Sequence, residues 1–265
     1  MELHVERYGT GRPVLCIHGF GANSATWKRL APYLADDCEL ILVDLKGFGA
    51  SPKPRDGKYS LEDQVELLAE FVAGQQLDRI VIMGHSLGGG IAVLLTAALR
   101  ARGHAVDGLI LIDAAVPLQP MPWYMTLLLI PGVNRLMFRV PLATTFRHIR
   151  RSAYYNTAAG SEEKTRAYMT AFADPNYPYV LRRTVHQLLS PALFTAWVRA
   201  ARSLSLPTLL LWGRNDRLVP VRHAEYYRKR IPKAQLTIFE QCGHAPQEEH
   251  PEATAGAIRD FLKSL

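Results

Sequence analysis

Six short apolar runs recur along the chain at intervals too wide for hairpins: PVLCIHG (13–19), CELILVDL (38–45), RIVIMG (79–84), VDGLILID (106–113), PTLLLWG (207–213) and AQLTIF (234–239). Nearly unbroken runs of this length fit strands buried on both faces, as in a parallel sheet covered by helices. Segments of helical period stand between them: WKRLAPYL (27–34), SLEDQVELLAEFVAG (60–74), LGGGIAVLLTAALRA (87–101), RHAEYYRKRI (222–231) and PEATAGAIRDFLKSL (251–265). Ser60 followed by Asp63 marks one helix N-terminus and Pro251-Glu252 another. LHVERYG (3–9) alternates polar with apolar and predicts an edge or antiparallel strand. Together these elements predict an α/β fold, a mostly parallel twisted sheet flanked by helices.

The pattern breaks between Ala115 and Ala200, where the sequence is helical, holds eight prolines from Pro117 to Pro191, and offers no comparable apolar run. We expect a helical cap inserted at 115–200 into a core made of 1–114 and 201–265; ordinary crossover helices are the alternative. The net charge of +7 lies wholly in that segment, which holds ten Lys/Arg against three acids. No nucleic-acid-binding motif accompanies this charge, so a nucleic-acid partner is not expected. Arg147, Arg150 and Arg151 share one stretch of helix surface and read as a solvated face. Weak contact of the basic, apolar-rich cap with a membrane surface is the competing reading. The N-terminal residues lack the apolar core of a signal peptide. WYMTLLLIPGV (123–133) is too short to span a bilayer. Cys16, Cys38 and Cys242 suggest neither a disulfide framework nor a zinc site, and a cytoplasmic location is expected.

GHSLGGG (84–90) crowds four glycines around Ser86 at the seam between a strand and a helix. Glycine is poorly suited to the interior of either element, so its use here needs a local cause. A sharp strand-to-helix turn supplies one: Gly84 and Gly88 remove Cβ atoms that would collide, and the Ser86 hydroxyl projects from the carboxyl end of the sheet. Gly89 and Gly90 would let the helix lie close against the sheet. The helix N-terminus beside Ser86 favours developing negative charge. A phosphate-binding loop is excluded, since neither G-x-x-x-x-G-K-[ST] nor a strand-following G-x-G-x-x-G is present.

HGFG (18–21), DLKGFGASP (44–52) and GHSLGG (84–89) follow the first three apolar runs, and WGRNDRLVP (212–220) and GHAPQEEHPE (243–252) close the set. In this order they resemble the motifs of the α/β-hydrolase superfamily over nearly the whole chain. The resemblance implies Ser86 as nucleophile, His244 as general base, Asp216 as the acid orienting it, and backbone N–H groups of Phe20 and Leu87 as oxyanion hole. Residue chemistry agrees: imidazole titrates near neutral pH, and a carboxylate behind it fixes its tautomer. Asp113 also ends a strand, and some members of the superfamily take their acid from that place. His18 and His85 resemble loop-shaping positions, His250 reads as a cap of the last helix, Asp44 as the support of the KGFG turn, and Cys242 as a small buried hydrophobe.

GHSLGG resembles carboxylesterases and lipases most, which implies hydrolysis of a small-molecule ester with no metal and no organic cofactor. Haloalkane dehalogenases and epoxide hydrolases carry aspartate at the position of Ser86. Carbon–carbon bond hydrolases, cofactor-free haloperoxidases and triad-retaining hormone receptors of the same fold are the alternatives.

Overall fold

The computed structural model describes residues 1–117, 119–132, 152–156 and 168–265. Seven strands form one sheet: β1 (Val5–Tyr8), β2 (Pro13–Ile17), β3 (Glu39–Val43), β4 (Ile80–His85), β5 (Val106–Ile112), β6 (Thr208–Gly213) and β7 (Ala234–Phe239), in spatial order β1-β3-β2-β4-β5-β6-β7. All neighbours are parallel except the edge strand β1, which runs antiparallel to β3 with Val5 opposite Val43. The alternating LHVERYG is thus the antiparallel edge, and each apolar run is a parallel strand.

Side-chain alternation along these runs splits the core in two. Leu15, Ile17, Ile41, Ile82, Leu109 and Leu111 pack on one face. Val14, Cys16, Leu40, Met83, Ile110 and Ile112 pack on the other. Because both faces are covered, neither set has room for polar alternation. The chain leaves β2 to one side, toward β3, and returns on the other at β4. A sheet whose order reverses in this way opens a crevice at the carboxyl ends of its strands, where ligands of α/β proteins bind.

Helix α1 (Leu61–Gly74) begins at a capping box in which Ser60 Oγ accepts from the Asp63 N–H and Asp63 accepts from the Ser60 N–H. Helix α2 (Leu87–Ala101) follows Ser86 and packs on β4 and β5. WKRLAPYL departs from expectation: instead of an α-helix it forms parts of two 3-10 turns, Ser24–Trp27 and Ala31–Tyr33. Pro32 has no N–H to donate to the Lys28 carbonyl, and its ring would clash there, so the segment keeps only i→i+3 bonds such as Leu34 N–H to Ala31 O.

Between β5 and β6 the described regular elements are helical: α3 (Trp123–Leu129), a 3-10 turn at Thr170–Ala173, α4 (Tyr177–Gln187) and α5 (Pro191–Ser203). Arg147, Arg150 and Arg151 lie outside the described residues. After β6 come α6 (Ala224–Arg228), α7 (Pro246–Glu249) and α8 (Pro251–Lys263). His250 occupies the N-cap position of α8, but its ring makes no capping bond and stacks on Phe239 instead. Among the described residues no helix is long and apolar enough to cross a membrane.

Candidate active site

Ser86 sits at the apex between β4 and α2 with φ 55° and ψ −122°, a conformation non-glycine residues rarely adopt. Its N–H donates to Ile112 O at 3.0 Å, and its carbonyl accepts from the Gly89 and Ala115 N–H groups at 2.9 Å each. A Cβ on Gly84 would overlap the Gly88 carbonyl, and one on Gly88 would overlap the Ile17 and His18 carbonyls. The turn therefore closes only with glycine at both places. Gly89 faces Ala114 just beyond β5, whereas Gly90 faces Trp197 of α5, so the last glycine seats a side chain rather than the sheet.

His244 and Asp216 meet at the same edge. His244 Nδ1 lies 2.7 Å from Asp216 Oδ2, with both residues about 6% exposed. Asp216 Oδ1 accepts from the Leu218 and Val219 N–H groups at 2.7 and 2.9 Å, and Trp212 Nε1–H ties down the Val219 carbonyl at 2.8 Å. The carboxylate is thereby fixed at both oxygens. His85 Nε2 lies 2.6 Å from His244 O, and burial holds the His85 imidazole neutral, lowered to about 3. His18 accepts the Leu45 N–H at Nε2 and bonds Gly19 O through Nδ1. Both histidines therefore shape loops, as their motif positions imply. Asp44 likewise receives the Ser24 and Ala50 N–H groups and holds the KGFG turn.

A second carboxyl stands behind the histidine. Asp113 is fully buried, takes φ 42° just past β5, and accepts the Gly213 N–H at 3.0 Å. Its other oxygen has no donor among the described residues. Burial, then the Asp216 charge, pushes its carboxyl well above the usual range, which favours the protonated form. Ligand atoms of Asp113, His85 and His244 lie within 4.8 Å of one another. His244 and His85 already bond Asp216 and a backbone carbonyl, so the cluster reads as a hydrogen-bonded network.

Ser86, Leu87, Phe20 and His244 line one cavity of about 480 Å³. Leu87 opens α2, so its N–H is among the four that have no intrahelical acceptor. Most of the remaining lining is apolar, including Val116, Met125, Leu193 and Trp197, and the described lining holds no Lys or Arg.

Residues that sequence reading missed hold the histidine loop from outside. The His244 N–H donates to Ala153 O at 2.6 Å. Glu249 accepts the Gly243 N–H at 2.8 Å and the Tyr155 and Asn156 N–H groups at 2.9 and 3.0 Å. Buried Glu248 accepts hydroxyls from Thr26, Tyr154 and Tyr168. No local pattern announces these pairings, because Tyr154 and Tyr155 stand 94 positions from their partners.

Fold and site together define a hydrolase-type α/β sheet with a serine elbow at its switch point. The chain belongs to the α/β-hydrolase fold family, whose profile matches residues 12–251. It is 30% identical over 271 residues to the pimeloyl-[acyl-carrier protein] methyl ester esterase of Aeromonas salmonicida, covering 99% of this chain and all of that one. It is 27% identical to the 2-hydroxy-6-oxo-2,4-heptadienoate hydrolase of Pseudomonas putida, covering 99% of this chain and 93% of the relative. Among solved structures it resembles a thermophilic esterase from Thermogutta terrifontis, with TM-score 0.79, 25% identity and coverage of 99% and 93% of the two chains.

Proposed function

We propose that this protein is a serine hydrolase of carboxylic esters with short to medium acyl chains. The observation that carries this reading is the shared cavity: Ser86 and His244 line it together, with Asp216 bonded to the far nitrogen of His244. A proton on Nδ1, held by Asp216, leaves Nε2 free as the base. Ser86 Oγ attacks the acyl carbonyl and passes its proton to His244. The Phe20 and Leu87 N–H groups stabilise the oxyanion. His244 then protonates the leaving alcohol, and water attacks the acyl-enzyme by the same route in reverse. This chemistry uses neither a metal nor an organic cofactor.

Residues 115–200 act in this reading as a cap over a core of 1–114 and 201–265, supported by the cavity-lining side chains of α3 and α5. A second reading, carbon–carbon bond hydrolysis, draws on the likeness to the Pseudomonas putida hydrolase. A dienoate carries a carboxylate, for which the described lining offers no cation, so the neutral ester fits better.

A panel of p-nitrophenyl esters beside a 2-hydroxy-6-oxodienoate tests the choice. Ester turnover should dominate, and Ser86→Ala should lower it by on the order of 10⁵–10⁶ while abolishing fluorophosphonate labelling. Faster turnover of the dienoate would replace the reading. Labelling retained in Ser86→Ala would remove the mechanism.

A further inference from the structure

The last glycine of GHSLGGG is explained neither by the turn nor by the sheet. A Cβ on Gly90 would overlap Cζ2 and Cη2 of Trp197, so the indole lies directly on the bare backbone of α2. Gly90 is four residues beyond Ser86, which places this contact about 6 Å along the helix from the serine. That distance is within reach of a short acyl chain. Trp197 is 5% exposed and lines the same cavity as Ser86.

The indole is also tethered. Its Nε1–H donates to Tyr227 Oη at 3.2 Å, and the fully buried Tyr227 hydroxyl donates in turn to Ala115 O. The Ala115 N–H bonds the Ser86 carbonyl at 2.9 Å. One short chain of hydrogen bonds thus fixes the ring relative to the serine. A surface seated on backbone and held at its polar edge does not yield readily to a longer ligand.

We propose that Trp197, seated on Gly90 and tethered through Tyr227, is the end wall of the acyl pocket and sets the chain length the enzyme accepts. The inference rests on the esterase reading above. It makes opposite predictions for two substitutions. Trp197→Leu removes the wall and opens space for longer chains. Gly90→Ala drives the ring into the cavity and shortens it.

The measurement is the ratio of kcat/KM for p-nitrophenyl octanoate to that for the butanoate, taken within each variant so that a general loss of activity cancels. Each additional buried methylene is worth about fourfold, so the ratio should rise about tenfold or more in Trp197→Leu. It should fall by a similar factor in Gly90→Ala. Trp197→Phe, which keeps most of the bulk, should stay between wild type and Trp197→Leu. Thermal unfolding shows which variants are folded, and either of the first two decides alone if the other is not. A ratio unchanged from wild type in a folded Trp197→Leu or Gly90→Ala protein overturns the proposal. A second readout needs no turnover: the stabilisation conferred by neutral straight-chain primary alcohols of increasing length should move the same way in each variant. If no ester is cleaved but these binding shifts occur, the esterase reading fails and the wall stands. If esters are cleaved and neither readout shifts, the wall fails and the esterase reading stands.

Discussion

Asp113 and Asp216 bring two carboxyls to one histidine, and they are held in different ways. Asp216 accepts two backbone N–H groups and lies 2.7 Å from the His244 ring. Asp113 has one donor, full burial and a negative neighbour. Asp216→Asn should therefore lower kcat by about 10³–10⁴, since the imidazole loses its charge partner and tautomer control. Asp113→Asn should cost less than about tenfold, because a neutral amide of the same shape still accepts the Gly213 N–H. The reverse ranking in steady-state kinetics would assign the acid to Asp113. Stability should respond in the opposite direction. Below the unfolded pKa, Asp113 is protonated in both states and contributes no pH dependence. Above it the unfolded chain ionises while the native chain retains the proton, so stability falls with rising pH until the raised native pKa is passed. Asp113→Asn removes that loss and should raise Tm near pH 8 by about 2–4 °C for each kcal/mol recovered. A Tm difference from wild type that is constant from pH 4 to 8 would show the buried carboxyl to be already ionised.

Among elements, the histidine loop depends on residues 152–156, which meet it through main-chain groups rather than through a packed face. Ala153 O takes the His244 N–H, and Glu249 bridges Gly243 to Tyr155 and Asn156. Glu249→Ala should leave three N–H groups without their acceptor and loosen both segments. We expect kcat to fall about tenfold with a smaller change in KM, since the loss falls on His244 placement, and we expect Tm to drop by a few degrees. An unchanged kcat would mean that the loop holds its geometry without the bridge. Of the strands beside this loop, β6 was legible because burial on both faces leaves an unbroken apolar run. β7 departs from that reading, since it is a half-exposed edge strand whose run Gln235 and Thr237 interrupt. Helix α1 was legible because its capping box is local. WKRLAPYL misled because its apolar spacing is helical while Pro32 forbids the helix. The convergence of Ser86, His244 and Asp216 at one sheet edge was readable from motifs at strand ends. Trp197 against Gly90, and Glu249 against Tyr155, were not, since nothing in either local sequence encodes a partner so far along the chain.

For the whole molecule, the question is how a basic segment and an apolar cavity divide the work of recognition. The excess charge belongs to 115–200, yet most side chains of that segment described at the cavity, among them Met125, Leu193, Phe194 and Trp197, are apolar, and none is charged. Of the described arginines there, Arg183 donates to Gly57 O at 3.2 Å and does not line the cavity. Substrate affinity should then come from burial of the acyl chain. A cavity of about 480 Å³ falls in the range of small-ligand sites and has a finite depth. Turnover per KM should rise by about fourfold per methylene from acetate upward, then fall once the chain outgrows the space. If surface charge steered binding instead, the rate would depend on ionic strength, because exposed charges are screened beyond about 10 Å at 0.1 M salt. We therefore expect kcat/KM for soluble esters to change less than about twofold between about 0.05 and about 0.5 M salt. A strict optimum at acetate would remove the acyl cavity from the account. Steep loss of binding to anionic vesicles with added salt, together with faster turnover on their surface, would return the basic segment to substrate recognition.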